Sequence, residues 1–221
     1  MIKVCIFDLD GTVLDTVASI AHFLNTVLIR HGIEPYPVAD YNYLAGAGAG
    51  PLVHEALARR GQDTPELFRQ IIEEYVPLYR DNVAYKTTIF DGLLPQLDHL
   101  KAAGIALAIV SNKPDSQAQA VVRATYGDGY FDYVTGQKPD GPLKPDITEV
   151  LGAMAHFGVT ADECLYFGDT SIDMITGRRA GIFTVGVLWG FRDETELLEN
   201  GADHLLHTPD ELSEFVLSYT H

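Results

Sequence analysis

Residues 2–11 read IKVCIFDLDG, an apolar run that stops abruptly at acidic residues. Most positions of this run are β-branched or aromatic, which is typical of a buried parallel strand. Similar apolar runs recur at residues 105–110, 164–167 and 183–187, and segments long enough for helices lie between them. Strands that alternate with helices predict an α/β fold built on a parallel sheet.

Polar residues follow the first three of these runs. Asp8 follows the first run, residues 111–113 (SNK) follow the second, and residues 168–170 (GDT) follow the third. The carboxyl ends of parallel strands lie along one edge of an open sheet, so residues that are distant in the sequence converge there. The sequence therefore predicts a functional site at that edge.

The long segment between the first and second runs predicts a second domain. About ninety residues separate these runs, and a single crossover helix needs far fewer. Apolar residues recur at helical spacing in three places within the segment, and Thr64 is a suitable N-cap for the last helix. We therefore predict an all-helical cap domain at residues 16–82, inserted into a Rossmann-like parallel sheet core that comprises residues 1–15 and 83–221.

Composition narrows the possible functions. The formal net charge of −16 disfavours binding to nucleic acid or to anionic lipid, because both depend on Lys and Arg to neutralise phosphates. The sequence contains no run of about 18 apolar residues and does not begin like a signal peptide, so we expect a cytoplasmic protein without a membrane partner. Cys5 and Cys164 each lie in an apolar run, which predicts two buried thiols rather than a disulfide or a metal-ligand pair.

Four carboxylates at two strand ends predict chemistry. Asp8 and Asp10 lie two residues apart, and Asp169 and Asp173 lie four apart, which brings them close if a helix begins there. Carboxylates this close repel one another unless a cation or a shared proton holds them, so the pattern indicates a divalent metal bound by oxygen ligands. A turn with an Asx-type cap would explain Asp8 and Asp10 alone, but not all four acids.

In this order and strand context, the polar residues resemble the four motifs of the haloacid dehalogenase-like hydrolase superfamily. The matching residues are DLDGT at 8–12, SNK at 111–113, Lys144-Pro145, and GDT at 168–170 with Asp173. Lys138-Pro139 is a second candidate for the third motif, but Asp146 and the helix predicted after it favour Lys144. Residues 181–203 and the helical insertion are similar to the phosphoglycolate phosphatase-like branch.

The resemblance implies a phosphatase that depends on Mg²⁺ and forms an aspartyl-phosphate. Asp8 is the implied nucleophile, and Asp10 is the implied general acid and base, one group that serves both half-reactions. The implied Mg²⁺ ligands are the carboxylates of Asp8 and Asp169 and the backbone carbonyl of Asp10, with Asp173 assisting behind them.

Three further residues are implied to hold the phosphate. These are Ser111, the backbone amide of Asn112, and Lys144, which also acts in catalysis by balancing charge on the phosphoryl group and Asp8. The implied partner is a small phosphorylated metabolite, with 2-phosphoglycolate as the first substrate to test. Whether the protein is a monomer or a homodimer stays open.

Other functions fit the same motifs. The core contacts only phosphate and metal, so an inorganic pyrophosphatase, a sugar-phosphate or nucleotide phosphatase, and a phosphoglucomutase-like transferase remain alternatives. A phospho-accepting signalling module is an alternative of a different class. The helical insertion and Asp10 argue against it, because a receiver domain needs no cap and an acid/base group shortens the life of an aspartyl-phosphate.

Residues 46–51 (GAGAGP) superficially resemble a phosphate-binding loop. They follow no buried strand and lack the Gly-Lys-Ser/Thr ending, so we exclude a nucleotide site there. Two interpretations remain for these residues, a loop that contacts the substrate and a flexible hinge.

Overall fold

The computed structural model describes residues 1–220, and six parallel strands form the centre of this part of the chain. The strands are β1 (Val4–Phe7), β2 (Ala106–Pro114), β3 (Tyr133–Gln137), β4 (Cys164–Gly168), β5 (Phe183–Val187) and β6 (His204–Leu206). Their order in the sheet is β3-β2-β1-β4-β5-β6, so β1 lies between β2 and β4. The predicted α/β fold with a Rossmann-like parallel sheet is confirmed.

Helices cover the sheet and fill the segment after β1. They are α1 (Val17–Arg30), α2 (Tyr41–Leu44), α3 (Ala49–Arg59), α4 (Pro65–Arg80), α5 (Leu93–Ala102), α6 (Asp115–Tyr126), α7 (Thr148–Phe157), α8 (Ser171–Arg179), α9 (Glu194–Glu199) and α10 (Leu212–Ser218). Within residues 1–220, we find none with both the length and the apolar character needed to cross a membrane.

Successive side chains of the central strands β1, β2 and β4 pack into two different apolar layers, because they point to opposite faces of the sheet. Cys5 and Phe7 of β1 lie in one layer, which also receives buried residues of α5, α6 and α10. Val4 and Ile6 lie in the other layer, beneath α7. A strand that is apolar on both sides is held in a fixed register, and this register determines where the residue after it, Asp8, is placed.

Helices α1 to α4 lie between β1 and α5, within the range predicted for the insertion. The side chain of Thr64 accepts a hydrogen bond from the backbone N–H of Leu67 (3.3 Å), so Thr64 caps α4 as expected. We refer to residues 16–82 as the helical segment. The proposed domain bounds stay a prediction, and their last residue, 221, lies outside the described residues.

The backbone pairs with itself close to the two ends of the helical segment. Asp15 and Thr88 form a short antiparallel bridge, in which each backbone N–H donates to the carbonyl of the other residue at 2.8 and 3.1 Å. This bridge lies just outside the two ends of the helical segment.

The structure extends the strands beyond the sequence prediction. Strand β2 continues through Pro114, so residues 111–113 lie within it, and its pairing with β3 becomes irregular between Val110 and Pro114. The sequence analysis also missed β3 and β6, the two edge strands of the sheet. Both are short and carry polar or glycine residues, so they lack the continuous apolar pattern of the central strands.

Candidate active site

Asp8 and Lys144 form the centre of the site. The backbone N–H of Asp8 donates to Phe167 of β4 (2.9 Å), which continues the sheet ladder up to the site. Lys144 Nζ lies 2.7 Å from Asp8 Oδ1 and 2.7 Å from Asp173 Oδ1, and all three side chains are buried. One ammonium therefore joins two carboxylates that follow neighbouring strands.

Asp169 is held rigidly beside this pair. Its two oxygens accept hydrogen bonds from the hydroxyl of Thr12 (3.0 Å) and from the backbone N–H of Phe191 (2.8 Å). Gly11 has a φ of +90°, and a Cβ placed there would lie 2.1 Å from an Asp169 oxygen. A Cβ on Gly190 would lie 2.3 Å from the Cβ of Asp169. The two glycines let the backbone approach this carboxylate closely.

Asp173 both caps a helix and anchors Lys144. Its Oδ2 accepts hydrogen bonds from the backbone and the hydroxyl of Thr170 (3.2 and 2.8 Å), which fixes the first turn of α8. Its Oδ1 binds Lys144 and accepts a hydrogen bond from the hydroxyl of Tyr166 (3.3 Å). Asp173 is therefore held in place by groups on both sides, which fits the supporting role implied by the resemblance.

The carboxylates of Asp8, Asp169 and Asp173 form a cluster that could hold a metal ion. Each residue offers one oxygen, and these oxygens all lie within 4.8 Å of one another. Burial raises the pKa of Asp8 to about 7. The positive charge of Lys144 opposes this rise, and the negative charge of Asp173 adds to it. Burial, followed by the charges of Asp173 and Asp8, also raises the pKa of Asp169. One ammonium does not balance the charge of three ionised carboxylates, so the cluster could accept a further cation. The hard oxygen donors of these carboxylates suit Mg²⁺.

Residues 111–113 connect β2 to the Lys144 loop. The Asn112 side chain accepts from the backbone N–H of Lys144 (2.7 Å) and donates to its carbonyl (3.2 Å). Ser111 is buried beside Asp8 in the wall of the same cavity. Its hydroxyl accepts a hydrogen bond from the backbone N–H of Lys113 (3.2 Å). The side chain of Asn112 thus positions the loop that carries Lys144.

The structure separates the two lysines that compete for the third motif. Lys144 is buried in the site, and burial opposes its charge, but Asp173 and Asp8 raise its pKa well above the ordinary value. The Lys138 side chain is 46% exposed and pairs instead with Asp115 (2.7 Å). The geometry therefore favours Lys144, as the sequence analysis expected.

The sequence analysis assigned no role to Lys113 or Tyr79. Asp10 does not join the carboxylate cluster, because both of its oxygens lie 2.9 Å from Lys113 Nζ. The same ammonium donates to the hydroxyl of Tyr79 on α4 (3.0 Å). A lysine at the end of a central parallel strand, beside predicted acids, was the available signal for Lys113. Tyr79 offered none, because its helical spacing is equally typical of a core residue.

A cavity of about 50 Å³ lies between these residues and the helical segment. Its walls include Asp8, Asp10 and Ser111 from the core, and Gly46 and Gly48 from the glycine-rich loop. This placement favours the interpretation of residues 46–51 as a loop near the substrate. Arg192 of the core donates a hydrogen bond to the carbonyl of Ala45 (2.9 Å) and so ties the start of this loop to the core.

Comparison with known proteins identifies the family. The family model described as haloacid dehalogenase-like hydrolase matches residues 5–187. The chain belongs to this family. Haloacid dehalogenase-like hydrolases with similar sequences include the phosphoglycolate phosphatase of Aquifex aeolicus, 31% identical over 95% of this chain and 94% of the relative. The phosphoglycolate phosphatase of Agrobacterium fabrum is 30% identical over 85% of this chain and 81% of the relative.

A solved structure supports the same branch of the haloacid dehalogenase-like hydrolases. It comes from Lactobacillus delbrueckii subsp. bulgaricus and carries a provisional assignment as a phosphoglycolate phosphatase. The two chains are 31% identical and superpose with a TM-score of 0.93 over 98% of this chain and 99% of the other. The protein is therefore a phosphatase of this family, in the phosphoglycolate phosphatase-like branch, which confirms the resemblance seen in the sequence.

Proposed function

We propose that the protein is a Mg²⁺-dependent phosphatase that hydrolyses 2-phosphoglycolate through an aspartyl-phosphate on Asp8. The observation that carries the proposal is the position of Asp8, which lies 2.7 Å from Lys144 and in one oxygen cluster with Asp169 and Asp173. The names of the relatives support 2-phosphoglycolate as the first substrate to test.

The residues of the carboxylate cluster fit a magnesium ion. The carboxylates of Asp8 and Asp169 and the backbone carbonyl of Asp10 would hold it, while Asp173 holds Lys144. When bound, Mg²⁺ would screen the charges of the phosphate oxygens and of Asp8, which otherwise repel one another. Hydrogen bonds from Thr12 and Phe191 hold one of these acids, Asp169, in place, which supports the proposed role of Asp169 as a ligand.

The protein's own residues supply the remaining steps. An oxygen of Asp8 attacks phosphorus and forms the aspartyl-phosphate as the ester P–O bond breaks, while Asp10 gives a proton to the leaving oxygen. Lys144, Ser111 and the Asn112 amide stabilise the phosphoryl oxygens. Asp10 then takes a proton from a water molecule that attacks phosphorus, which releases inorganic phosphate and restores Asp8.

We propose that the helical segment, residues 16–82, acts as a cap over the site. Its residues Gly46, Gly48 and Tyr79 line the cavity above Asp8, which supports this role. A cap of this kind excludes bulk water and contacts the part of the substrate beyond the phosphate. The cytoplasmic location and the choice between monomer and homodimer stay predictions from the sequence.

Phosphate release tests the proposal. Wild-type protein is assayed with 2-phosphoglycolate, pyrophosphate, a hexose phosphate and a nucleoside monophosphate, with Mg²⁺ and with EDTA. Asp8→Asn keeps the shape of the side chain but removes the nucleophile, so we expect kcat to fall by at least about 10⁴-fold. Asp91→Asn is the matched control, because Asp91 is exposed, and its activity should stay near the wild-type level.

Two results would contradict the proposal. Equal activity in wild type and Asp8→Asn would remove Asp8 as the nucleophile. A phosphorylated protein that persists without releasing phosphate would favour the signalling module instead. Preference for another member of the panel would retain the mechanism but replace the substrate.

A further inference from the structure

Lys113 is a buried ammonium that the phosphoryl chemistry does not use. Its side chain is 4% exposed, and its Nζ contacts both oxygens of Asp10 at 2.9 Å and the hydroxyl of Tyr79 at 3.0 Å. The Asp10 carboxylate compensates the charge of this ammonium through a bidentate ion pair. Lys113 therefore carries a positive charge at neutral pH, in a place where an unpaired charge is costly.

This charge is unique in the wall of the cavity. Among the described residues that line the cavity, Lys113 is the single cation. The helical segment contributes mainly small or apolar side chains there, with Ala45, Ala49, Leu52 and Val76 among them. The part of a substrate beyond the phosphate thus meets polar groups such as Tyr75 and Gln117 but, among the lining residues that the structure describes, only one positive charge, that of Lys113.

The distance between Asp10 and Lys113 suits a particular spacing of oxygens. The leaving ester oxygen must lie within hydrogen-bond reach of Asp10. A second substrate oxygen could replace one Asp10 oxygen as a partner of Lys113 Nζ, which lies 2.9 Å from both of them. In a phosphorylated 2-hydroxy acid, three covalent bonds separate the ester oxygen from a carboxylate oxygen, which places the two roughly 3 Å apart. One more methylene group would increase this separation by about 1 Å.

We propose that Lys113 is the specificity-determining residue that binds the substrate's carboxylate, and that the substrates are short phosphorylated 2-hydroxy acids. This inference rests on the proposed function, because it requires that Asp10 serves the leaving oxygen of a phosphate ester. Tyr79 joins the helical segment to this contact, since its hydroxyl holds the ammonium from above.

A matched pair of substrates tests the inference on wild-type protein. These are 2-phosphoglycolate and 2-hydroxyethyl phosphate, which replaces the carboxylate by a neutral CH₂OH group of similar size. Lys113 keeps Asp10 as a partner when the carboxylate is missing, so the penalty should be smaller than for an orphaned charge. We expect kcat/KM to favour 2-phosphoglycolate by about 100-fold. A ratio below about 3-fold would overturn the inference, whatever the variants show.

Lys113→Met provides the second comparison. We expect the kcat/KM ratio of 2-phosphoglycolate to 2-hydroxyethyl phosphate to fall below about 3. The two substrates differ in the carboxylate, and without the ammonium this difference no longer affects binding. Lys113→Gln, which keeps a hydrogen-bond donor near Asp10, should also reduce the ratio and replaces Lys113→Met if that variant does not fold. Lys138→Met, at an exposed lysine, should keep the wild-type ratio.

The outcomes separate this inference from the proposed function. If Lys113→Met slows both substrates by the same factor, Lys113 only positions Asp10, and the inference fails while the phosphatase mechanism stands. If Asp8→Asn retains activity, the proposed function fails first. Among longer acids, 3-phosphooxypropanoate should be a poorer substrate than 2-phosphoglycolate, and the opposite order would contradict the spacing argument.

Discussion

Lys144 and Lys113 each bind an aspartate from the DLDGT motif, but their surroundings differ. The partners of Lys144 are Asp8, Asp173, Tyr166 and the carbonyl of Val110, and all of them belong to the sheet core. Lys113 instead shares its charge between Asp10 and Tyr79 of the helical segment. The contacts of Lys144 thus come from the core alone, whereas those of Lys113 also include α4 of the helical segment.

Of the two lysines, Lys144 is expected to give the larger effect on catalysis. Lys144→Met leaves Asp8 and Asp173 facing each other without their shared ammonium, so kcat/KM should fall by at least about 10³-fold. The free energy of unfolding should fall by about 3 kcal/mol or more, because breaking a buried ion pair leaves uncompensated charge. Steady-state kinetics and urea unfolding measure the two effects.

Lys138→Met is the matched control for this lysine. Lys138 forms an exposed pair with Asp115, which should contribute less than about 1 kcal/mol. Similar losses in both variants would show that the position of Lys144 in the core has no special weight. Lys113→Met should differ from both Lys144→Met and Lys138→Met, because it should change the kcat/KM ratio between the two substrates.

The metal response should depend on pH on the Lys144 side of the site. The pKa of Asp8 in the folded protein is about 7, against an ordinary value of 3.8. Between these values the folded protein binds a proton that the unfolded chain releases, so this group's contribution to stability falls as the pH rises. Mg²⁺ needs the ionised carboxylate, so the stabilisation that it provides should grow over the same range.

Thermal unfolding with and without Mg²⁺ measures this effect. We expect the Mg²⁺-induced rise in Tm to be larger at about pH 8 than at about pH 5.5, by about 3 °C or more. Asp8→Asn should remove most of the pH dependence. An equal rise in Tm at both pH values in the wild-type protein would show that Mg²⁺ binding does not depend on the charge of Asp8.

A smaller effect is expected where the helical segment contacts Lys113. Tyr79→Phe removes one acceptor of the ammonium while Asp10 remains, so kcat/KM for 2-phosphoglycolate should fall by about 3- to 10-fold. Tyr75→Phe is the control, because Tyr75 is also buried on α4, whereas the tyrosine hydroxyl that Lys113 Nζ contacts is that of Tyr79. Equal losses in both variants would show that α4 contributes packing alone.

The smallest effect is expected from thiol modification. Cys5 and Cys164 lie on β1 and β4, the strands that carry both halves of the site, and both thiols are buried. Burial raises the pKa of Cys164 to about 11 and raises that of Cys5 further. Iodoacetamide should therefore leave the native protein unlabelled and fully active, whereas the unfolded chain should react at both positions. Mass spectrometry measures the labelling. Labelled Cys5 in the native protein would show that the sheet opens enough to expose this thiol.

The sequence predicted the central part of the fold better than its edges. The four predicted strands became β1, β2, β4 and β5, because strands buried on both sides need continuous apolar residues. The edge strands β3 and β6 escaped prediction because they are covered less completely and tolerate polar residues. Thr64 marked the start of α4 correctly, since capping depends on local sequence.

The sequence also predicted that acids following two buried strands converge, but the side chain of Asp10 pairs with Lys113 instead of joining the other three. Asp8, Asp169 and Asp173 follow two strands that the sequence shows to be buried, and adjacent strands bring them together. The pair between Asp10 and Lys113 spans 103 positions, and the third member, Tyr79, comes from the helical segment. Contacts of this kind depend on how helices pack on the sheet, which local patterns do not encode.

The antiparallel bridge between Asp15 and Thr88 has a consequence for how such proteins can be altered. Two backbone segments that pair in this way lie about 5 Å apart, a gap that a tight turn can span. The bridge therefore sets the spacing between the two ends of the helical segment, whatever the length of chain between them. We expect that the helical segment can be exchanged for that of a related protein as a single cassette, which would replace Tyr79 and the glycine-rich loop while Asp8, Lys144 and Lys113 stay where they are.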